Sequence, residues 1–329
     1  MMQDNPLIGK HLHEYRIDRL IGRGNMASVY LATDFRLQRK VAIKVNNQDF
    51  RGDANYVMRV MREGQVLAQL NHPHIVQAYR LGETDQTLYL AMQYIEGADL
   101  SIVLKSYKED REYVETLEAA RIVREISSAL DYAHGEGIIH RDVKPSNIML
   151  DNKGRSYLTD FGLALVTMEG TMGDVLGTPY YIAPEQAISS ADALPQSDLY
   201  SLGIVMYEMF TNSRPFEGNG PLEIVMMHII SPPRPPCELR PEISPEVEAV
   251  ILKTITKKPD DRYQTGSEMS AALDEAIRAG GIGKRPGEAP ALLSRAGTIL
   301  SRTPHFPLSN EEQDELREAL ERRMGDPPG

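Results

Sequence analysis

Two short polar stretches near the middle of the chain carry residue types that suit phosphoryl transfer. Residues 140–147 read His-Arg-Asp-Val-Lys-Pro-Ser-Asn, and residues 160–162 read Asp-Phe-Gly. A carboxylate such as Asp142 can position an acceptor hydroxyl and take its proton, and oxygens such as those of Asn147 and Asp160 suit a divalent metal that neutralises phosphates. Asp-Phe-Gly alone would equally fit an Asp-Gly turn around a core phenylalanine. The two stretches in this order and spacing favour a phosphoryl-transfer site.

The elements that precede these stretches are predicted to be mostly strands. Aliphatic or β-branched runs at 15–21, 28–33 and 40–45 are bounded by turn signals. Apolar positions within 54–70 recur with a helical period, and 88–94 is a further short apolar run. The first part of the chain is therefore expected to be a strand-rich lobe with one embedded helix.

The remainder is expected to be mainly helical. Apolar residues recur at helical spacing over 119–133 and over 199–209. The runs 148–150 and 157–159 bracket an Asn-Lys-Gly turn and predict a small hairpin just before Asp160. The fold class is predicted to be α+β, with a small strand-rich lobe followed by a larger helical lobe.

Composition changes near residue 280. Glycines and prolines predict a flexible linker over 280–308. Ser309 and Glu312 form a capping-box pattern ahead of a charged segment with a narrow apolar stripe. We expect a short amphipathic helix and tail over 309–329.

Bulk composition limits the function classes. A formal net charge of −11 argues against nucleic acid as the main partner, because phosphate backbones attract an excess of Lys and Arg. The single cysteine, Cys237, excludes an internal disulfide and is consistent with a reducing compartment. No apolar leader segment is visible, and the apolar runs are far shorter than a membrane span. A cytoplasmic location without a membrane span is therefore expected.

Two further features suit a bound nucleotide. Gly22 and Gly24 lie between two predicted strands, where glycines let backbone N–H groups approach phosphates, although a plain hairpin turn fits as well. Lys44 ends the apolar run Val-Ala-Ile-Lys, and a buried ammonium needs a partner. Glu63, in the predicted helix, is the best candidate partner. The alternatives are a strand-edge Lys44 that reaches water and a solvated Glu63.

Together these motifs resemble those of the eukaryotic-like Ser/Thr protein kinases, over residues 15–279. The segments 183–186 and 258–263 resemble bacterial members most. The resemblance implies the bilobal protein-kinase fold. The implied division is an N-terminal extension of 1–14, an N-lobe of 15–92, a hinge of 93–97 and a C-lobe of 98–279.

The resemblance also implies roles for matching positions, with ATP and Mg²⁺ (or Mn²⁺) as cofactors. Asp142 would be the catalytic base, Lys144 would contact the γ-phosphate, Lys44 paired with Glu63 would hold the α- and β-phosphates, and Asn147 and Asp160 would bind the metal. The implied nucleotide-binding set is Gly22, Gly24, Val29, Ala42, the gatekeeper Met92, the hinge residues Gln93 to Ile95, and Met149. Ala27 stands where the third glycine of the family's loop is expected.

An activation loop is implied between Asp160 and Glu185. Arg141 would pair with a phosphate on this loop, Thr167 and Thr171 are candidate autophosphorylation sites, and self-association would allow transfer between copies. The residues implied to be structural supports are His140, Arg141, Phe161, Thr178, Glu185, Asp198 and Arg262.

The expected function is therefore a protein Ser/Thr kinase that acts on hydroxyls of protein substrates. A pseudokinase scaffold with the same fold is the alternative, and the departure at Ala27 is its only support. A small-molecule kinase would lack the loop anchor at Glu185 and the helix signature at Asp198, so peptide substrates are favoured.

Overall fold

The computed structural model forms two compact units, one built on a large sheet and one mainly helical. The structure describes residues 7–23, 27–46, 61, 64–84, 87–161 and 179–280. The sheet unit contains the described residues 7–46 and 78–94, and the helical unit contains 61–77 and 95–280.

The sheet unit is a six-stranded sheet in the order β1-β2-β3-β4-β6-β5. Every neighbouring pair in it is antiparallel. The strands are β1 His11–Leu12, β2 Tyr15–Arg23, β3 Ala27–Asp34, β4 Arg39–Asn46, β5 Ala78–Thr84 and β6 Thr87–Gln93.

One face of this sheet has its own hydrophobic core. Successive side chains of a strand point to opposite faces, so alternate residues collect on each side. The residues of this core are Leu12, Tyr15, Ile17, Tyr30, Ala32, Val41, Ile43, Val45, Tyr89 and Ala91. Leu12 belongs to β1, so the sheet begins before residue 15. Residue 15 is the position at which the sequence predicts that the domain starts.

A smaller three-stranded sheet belongs to the helical unit. Its strands are β7 Gly97–Asp99, β8 Ile148–Asp151 and β9 Ser156–Leu158, in that order. The β8–β9 turn is closed by Gly154, which has a positive φ of 78° and donates to the Asp151 backbone oxygen at 2.9 Å. The predicted hairpin before Asp160 is confirmed.

Several helices of the second unit begin with proline. Proline suits the first helical turn because its fixed φ is helical and its missing N–H has no intrahelical acceptor there. The helices are α1 Leu100–Glu109, α2 Thr116–Gly135, α3 Pro184–Ile188, α4 Pro195–Thr211, α5 Pro221–Ile230, α6 Pro236–Leu239, α7 Pro245–Thr254 and α8 Gly266–Ala279.

Helix α4 forms the centre of the helical unit. Its residues from 197 to 211 are buried apart from Glu208, so the helix is enclosed on all sides. Several of these buried residues are polar, and Asp198, Ser201 and Ser197 take tertiary hydrogen bonds. A polar side chain in such a place must be satisfied by the chain around it.

The predicted elements correspond closely to those observed in the described residues. The strands predicted over 15–21, 28–33, 40–45 and 88–94 are confirmed as β2, β3, β4 and β6. Of the helix predicted over 54–70, the helical residues described are 61 and 64–69. The segment that follows is tied to the helical unit, because Val76 donates to the Leu158 backbone oxygen at 3.0 Å and Asn71 donates to the Tyr132 hydroxyl at 3.1 Å.

Among the described residues, no helix combines the length and the apolar character needed to cross a bilayer.

Candidate active site

A loop between α2 and β8 brings Asp142, Lys144 and Asn147 together. The Asn147 amide nitrogen donates to the Asp142 backbone oxygen at 2.8 Å and to its Oδ2 at 3.0 Å. The Lys144 ammonium lies 2.8 Å from the same Oδ2. The Asp142 side chain nevertheless remains 37% exposed. The loop therefore holds a carboxylate in one orientation and leaves it accessible to an incoming hydroxyl.

The residues present fit a cation that takes most of its ligands from a substrate. The Asn147 amide nitrogen is used on Asp142, so its oxygen is the atom that a metal would contact. Within the described residues, no group of three or more His, Cys, Asp and Glu side chains forms a metal site. Mg²⁺ commonly binds through one or two carboxylates together with phosphates and water. Asp160 and Asn147 are the kind of sparse protein set that such a cation uses.

Two residues at this candidate site have strained backbones. Arg141 has a φ of 67° and Asp160 a φ of 60°. A non-glycine residue in this left-handed region costs about 1–3 kcal/mol and persists only when its surroundings impose it. Arg141 adjoins Asp142, and Asp160 is itself predicted to bind the metal, so both lie where such strain concentrates.

The surroundings that impose the Arg141 conformation are centred on Asp198. Its Oδ1 accepts from the Arg141 backbone N–H at 2.7 Å, and its Oδ2 accepts from the His140 backbone N–H at 2.8 Å. The ring of His134 contacts Oδ2 at 2.8 Å. The Asp198 side chain is 1% exposed. A buried carboxylate in the first turn of α4 therefore fixes two successive residues of the loop.

The ring of His140 links this loop to the segment that carries Asp160. The Asp142 backbone N–H donates to His140 Nδ1 at 3.2 Å, so the ring proton sits on Nε2 and is donated to the Thr159 backbone oxygen at 2.8 Å. Phe161 packs edge-on against the ring, with centroids 4.6 Å apart. The two predicted chemical stretches are thus joined through one buried imidazole.

Glu185 and Arg262 form a bidentate ion pair. Arg262 Nη1 and Nη2 donate to the two carboxylate oxygens at 2.7 and 2.8 Å, and Ser197 Oγ donates to Oε1 at 2.6 Å. Burial raises the pKa of Glu185, but the hydrogen bonds from Arg262 and Ser197 outweigh it and lower the pKa below its usual value. Next to it, Gln186 donates to the Arg141 backbone oxygen at 3.2 Å. The segment after residue 178 is thereby fixed to α4 and to the loop that carries Asp142.

In the sheet unit, the predicted phosphate and adenine contacts share the face opposite the core. Val29 pairs with Lys44, and Ala42 pairs with Met92, in adjacent strands. Directly opposed residues point to the same face, and residues two apart in one strand do too. Lys44 is 8% exposed within this otherwise apolar face.

The other predicted nucleotide contacts that the structure describes lie in a strand or next to one. Gly22 is in β2, Gln93 ends β6, and Ile95 is a buried residue between β6 and β7. Met149 is in β8, opposite Asp99. Gly24, Glu63, Thr167, Thr171 and Thr178 lie outside the described residues.

Sequence reasoning missed three residues that support the site. His134 shares the Asp198 carboxylate, Ser197 donates to the carboxylate of the Glu185 pair, and Gln186 braces Arg141. A signal existed for His134, since it follows Leu130 by four positions on the apolar stripe of α2. A polar ring on a buried stripe calls for a partner. Ser197 and Gln186 carry no comparable signal.

Comparison with known proteins gives one family model, described as "Protein kinase domain", which matches residues 15–273. The Ser/Thr-protein kinase PrkC of Bacillus subtilis is 39% identical over 277 residues, covering 83% of this chain and 42% of PrkC. The Ser/Thr-protein kinase PknA of Mycobacterium tuberculosis is 39% identical over 295 residues, covering 87% of this chain and 66% of PknA. The chain thus spans less than two thirds of the length of these relatives.

A solved structure agrees with this likeness. The crystal structure of the Mycobacterium tuberculosis PknI kinase domain is 28% identical, with a TM-score of 0.65. It covers 82% of this chain, and the match takes in 98% of that domain. The predicted fold class, a strand-rich lobe followed by a helical lobe, is confirmed by this match and by the two units described above.

Proposed function

Because this chain belongs to the protein kinase family, we propose that it transfers the γ-phosphate of ATP to Ser and Thr hydroxyls of protein substrates. The observation that carries the proposal is the oriented, partly exposed carboxylate of Asp142, held by Asn147 and Lys144. The curated relatives PrkC and PknA are named Ser/Thr-protein kinases, which supports the same reaction.

Asp142 is proposed as the catalytic base. Its carboxylate would align a substrate hydroxyl and accept the proton as the oxygen bonds to the γ-phosphorus and the bond to the departing ADP breaks. Lys144, 2.8 Å from the same carboxylate, would stabilise charge on the transferring group. Asn147 and Asp160 would hold Mg²⁺ or Mn²⁺, which supplies charge neutralisation of the phosphates when bound.

The sheet face that carries Lys44 is proposed to bind ATP. Lys44 would contact the α- and β-phosphates, with Glu63 as its partner, and Gly22 and Gly24 would let the backbone approach them. The proposed adenine contacts are Val29, Ala42, Met92, Gln93, Ile95 and Met149. The low exposure of Lys44 in an apolar face supports a role that needs a localised cation.

Regulation and organisation are proposed as follows. Autophosphorylation at Thr167 or Thr171, through self-association, would place a phosphate near Arg141. The kinase domain would span 15–279, followed by the linker and tail described above. A cytoplasmic location is proposed from the single cysteine and the supply of ATP in that compartment.

The test is incorporation of γ-phosphate from ATP with Mg²⁺, in the full chain and in a generic basic Ser/Thr substrate. Asp142→Asn should lower incorporation by about 100-fold or more, because it removes the base and keeps the shape. Asp192→Asn, at an exposed aspartate, is the matched control and should behave as wild type.

Phosphopeptide mapping of the wild-type product then locates the acceptors. Incorporation on Thr167 or Thr171 supports self-activation. Equal incorporation by wild type and Asp142→Asn would reject the proposed base. No incorporation by wild type into itself or the substrate, with ATP bound, would favour the scaffold alternative.

A further inference from the structure

A guanidinium with unused hydrogen-bonding capacity lies against the segment that follows residue 178. The Arg214 guanidinium carbon is 3.6 Å from the centroid of the Tyr180 ring. Its Nε lies 3.9 Å from Glu208 Oε1 and 4.0 Å from Glu217 Oε1. These separations are charge contacts and are too long for hydrogen bonds. Nowhere in the described part of the chain does an atom accept a hydrogen bond from this guanidinium, which is 27% exposed.

The two nearby carboxylates are not equivalent. Glu208 accepts from the Tyr181 hydroxyl at 2.5 Å, and its side chain is 17% exposed. Burial raises the pKa of Glu208, and Tyr181 and Arg214 act against that rise. Glu217 is 59% exposed and free to turn toward water. Arg214 therefore covers a half-buried carboxylate that is already engaged, and part of the Arg214 side chain remains exposed.

Helix α4 connects this group to the catalytic loop. Asp198, near its start, fixes the backbone of the loop that carries Asp142, and Ser201 Oγ donates to the Tyr181 backbone oxygen at 2.7 Å. Glu208 lies farther along the same helix. At a rise of 1.5 Å per residue, Asp198 and Glu208 are about 15 Å apart along the axis. An extended peptide at about 3.3 Å per residue covers that distance in about five residues.

We propose that Arg214 is a specificity-determining residue, which selects substrates carrying an anionic side chain within about five residues of the acceptor hydroxyl. The inference rests on the proposed kinase function and names the substrate class of that site. A guanidinium pre-oriented by an aromatic ring offers paired N–H donors that match a carboxylate or a phosphate. Without Arg214, Glu208 and Glu217 would leave two negative charges, and the same place would select cations.

The test compares peptides that differ only in one flanking residue, which is Glu, phosphoserine, Ala or Arg at each position within five of the acceptor. Turnover by the full chain is measured as kcat and KM. We expect kcat/KM at the responsive position to be about five- to tenfold higher for Glu than for Ala, mostly through KM, and lower for Arg. A larger gain with phosphoserine than with Glu would identify phosphate as the preferred anion, and the reverse would identify a carboxylate.

Two variants and a control isolate the guanidinium. Arg214→Ala should remove the preference for Glu and raise kcat/KM for the Arg peptide, because Glu208 is uncovered. Arg214→Lys should retain part of the preference for Glu, since it keeps the charge. Arg234→Ala removes an arginine that is 56% exposed and paired with Glu238, and it should leave the profile unchanged. Thermal unfolding of each variant establishes that it is folded.

Binding separates this inference from the proposed function. Fluorescence anisotropy with peptides whose acceptor is Ala, in the absence of ATP, measures selectivity without phosphoryl transfer. Selective binding of the anionic peptides that is lost in Arg214→Ala supports the inference even where no transfer occurs, and in that case only the proposed function fails. Equal binding of all peptides, a preference for Arg in wild type, or an unchanged profile in folded Arg214→Ala overturns it.

Discussion

Replacing Asp198 by asparagine should destabilise the protein strongly while barely changing side-chain volume. The carboxylate accepts from the backbone N–H groups of Arg141 and His140 and contacts the ring of His134, at 2.7 to 2.8 Å. An amide keeps one oxygen and turns an NH₂ group toward these donors. In its better orientation the oxygen stays with His140 and His134, and the NH₂ faces the N–H of Arg141.

The size of the effect follows from these contacts. Losing one hydrogen bond to a charged acceptor removes about 1.5–3 kcal/mol, and leaving a buried N–H unsatisfied costs about 1–3 kcal/mol. We therefore expect the free energy of unfolding to fall by about 3–5 kcal/mol. With an m-value of about 3 kcal/mol/M, the urea midpoint should fall by about 1–1.7 M. The strained backbone of Arg141 loses its restraint, so kcat for phosphoryl transfer should fall by about tenfold or more.

Equilibrium urea unfolding and single-substrate kinetics measure both effects. The matched control is Asp274→Asn, which alters a carboxylate that is 35% exposed and paired with Arg124 at the surface. An exposed pair of this kind contributes about 0–1 kcal/mol. If Asp198→Asn shifted the urea midpoint no more than this control and left kcat unchanged, the assignment of Asp198 as the restraint on the loop would be refuted.

Two other predictions concern the supports of the helical unit. The pKa of Glu185 is lowered from 4.5 in the folded state, so its pairing with Arg262 stabilises the fold above that value and is lost as pH falls through the lower folded pKa. As the pH is lowered from about 6 to about 2.5, the urea midpoint should therefore fall more steeply for wild type than for Glu185→Gln. Parallel slopes would contradict this. Gly97→Ala should abolish folding or lower stability by more than about 3 kcal/mol, because a Cβ there would lie 1.7 Å from the Leu150 backbone oxygen. Gly135→Ala, where a Cβ meets nothing within 4 Å, is its control in the same urea assay, and similar midpoints for the two variants would contradict the clash.

The elements nearest the site could be predicted from sequence because their burial is regular. β4 alternates between the core face and the face of Lys44, and α2 has an apolar stripe. β5 was not predicted. It lies at the edge of the sheet, where most of its side chains are only half-buried and show no alternation. Patterns of hydrophobicity reveal strands with one buried face and miss strands that lack one.

Contacts within the site were less predictable than the residues themselves. The sequence singles out Asp198 and the loop around Asp142. However, the Asp198 carboxylate can accept hydrogen bonds from two backbone N–H groups only when the loop has one particular conformation. No spacing rule reports the backbone of a distant segment. The stacking of Arg214 on Tyr180 is similar, because it joins residues from two separate segments by tertiary packing. Motifs identify side chains, and the enclosing fold determines which atoms they meet.

The left-handed backbones of Arg141 and Asp160 set stability and activity in opposition. Glycine adopts this region without the steric penalty of a Cβ, so Arg141→Gly or Asp160→Gly would relieve local strain even as it removed the side chain proposed to act. Selection for thermostability alone would therefore favour glycine at these two positions, and the selected proteins would be inactive. In directed evolution of this protein, a stabilised variant that carries glycine at either site should be read as a loss of function, and both codons should be held fixed.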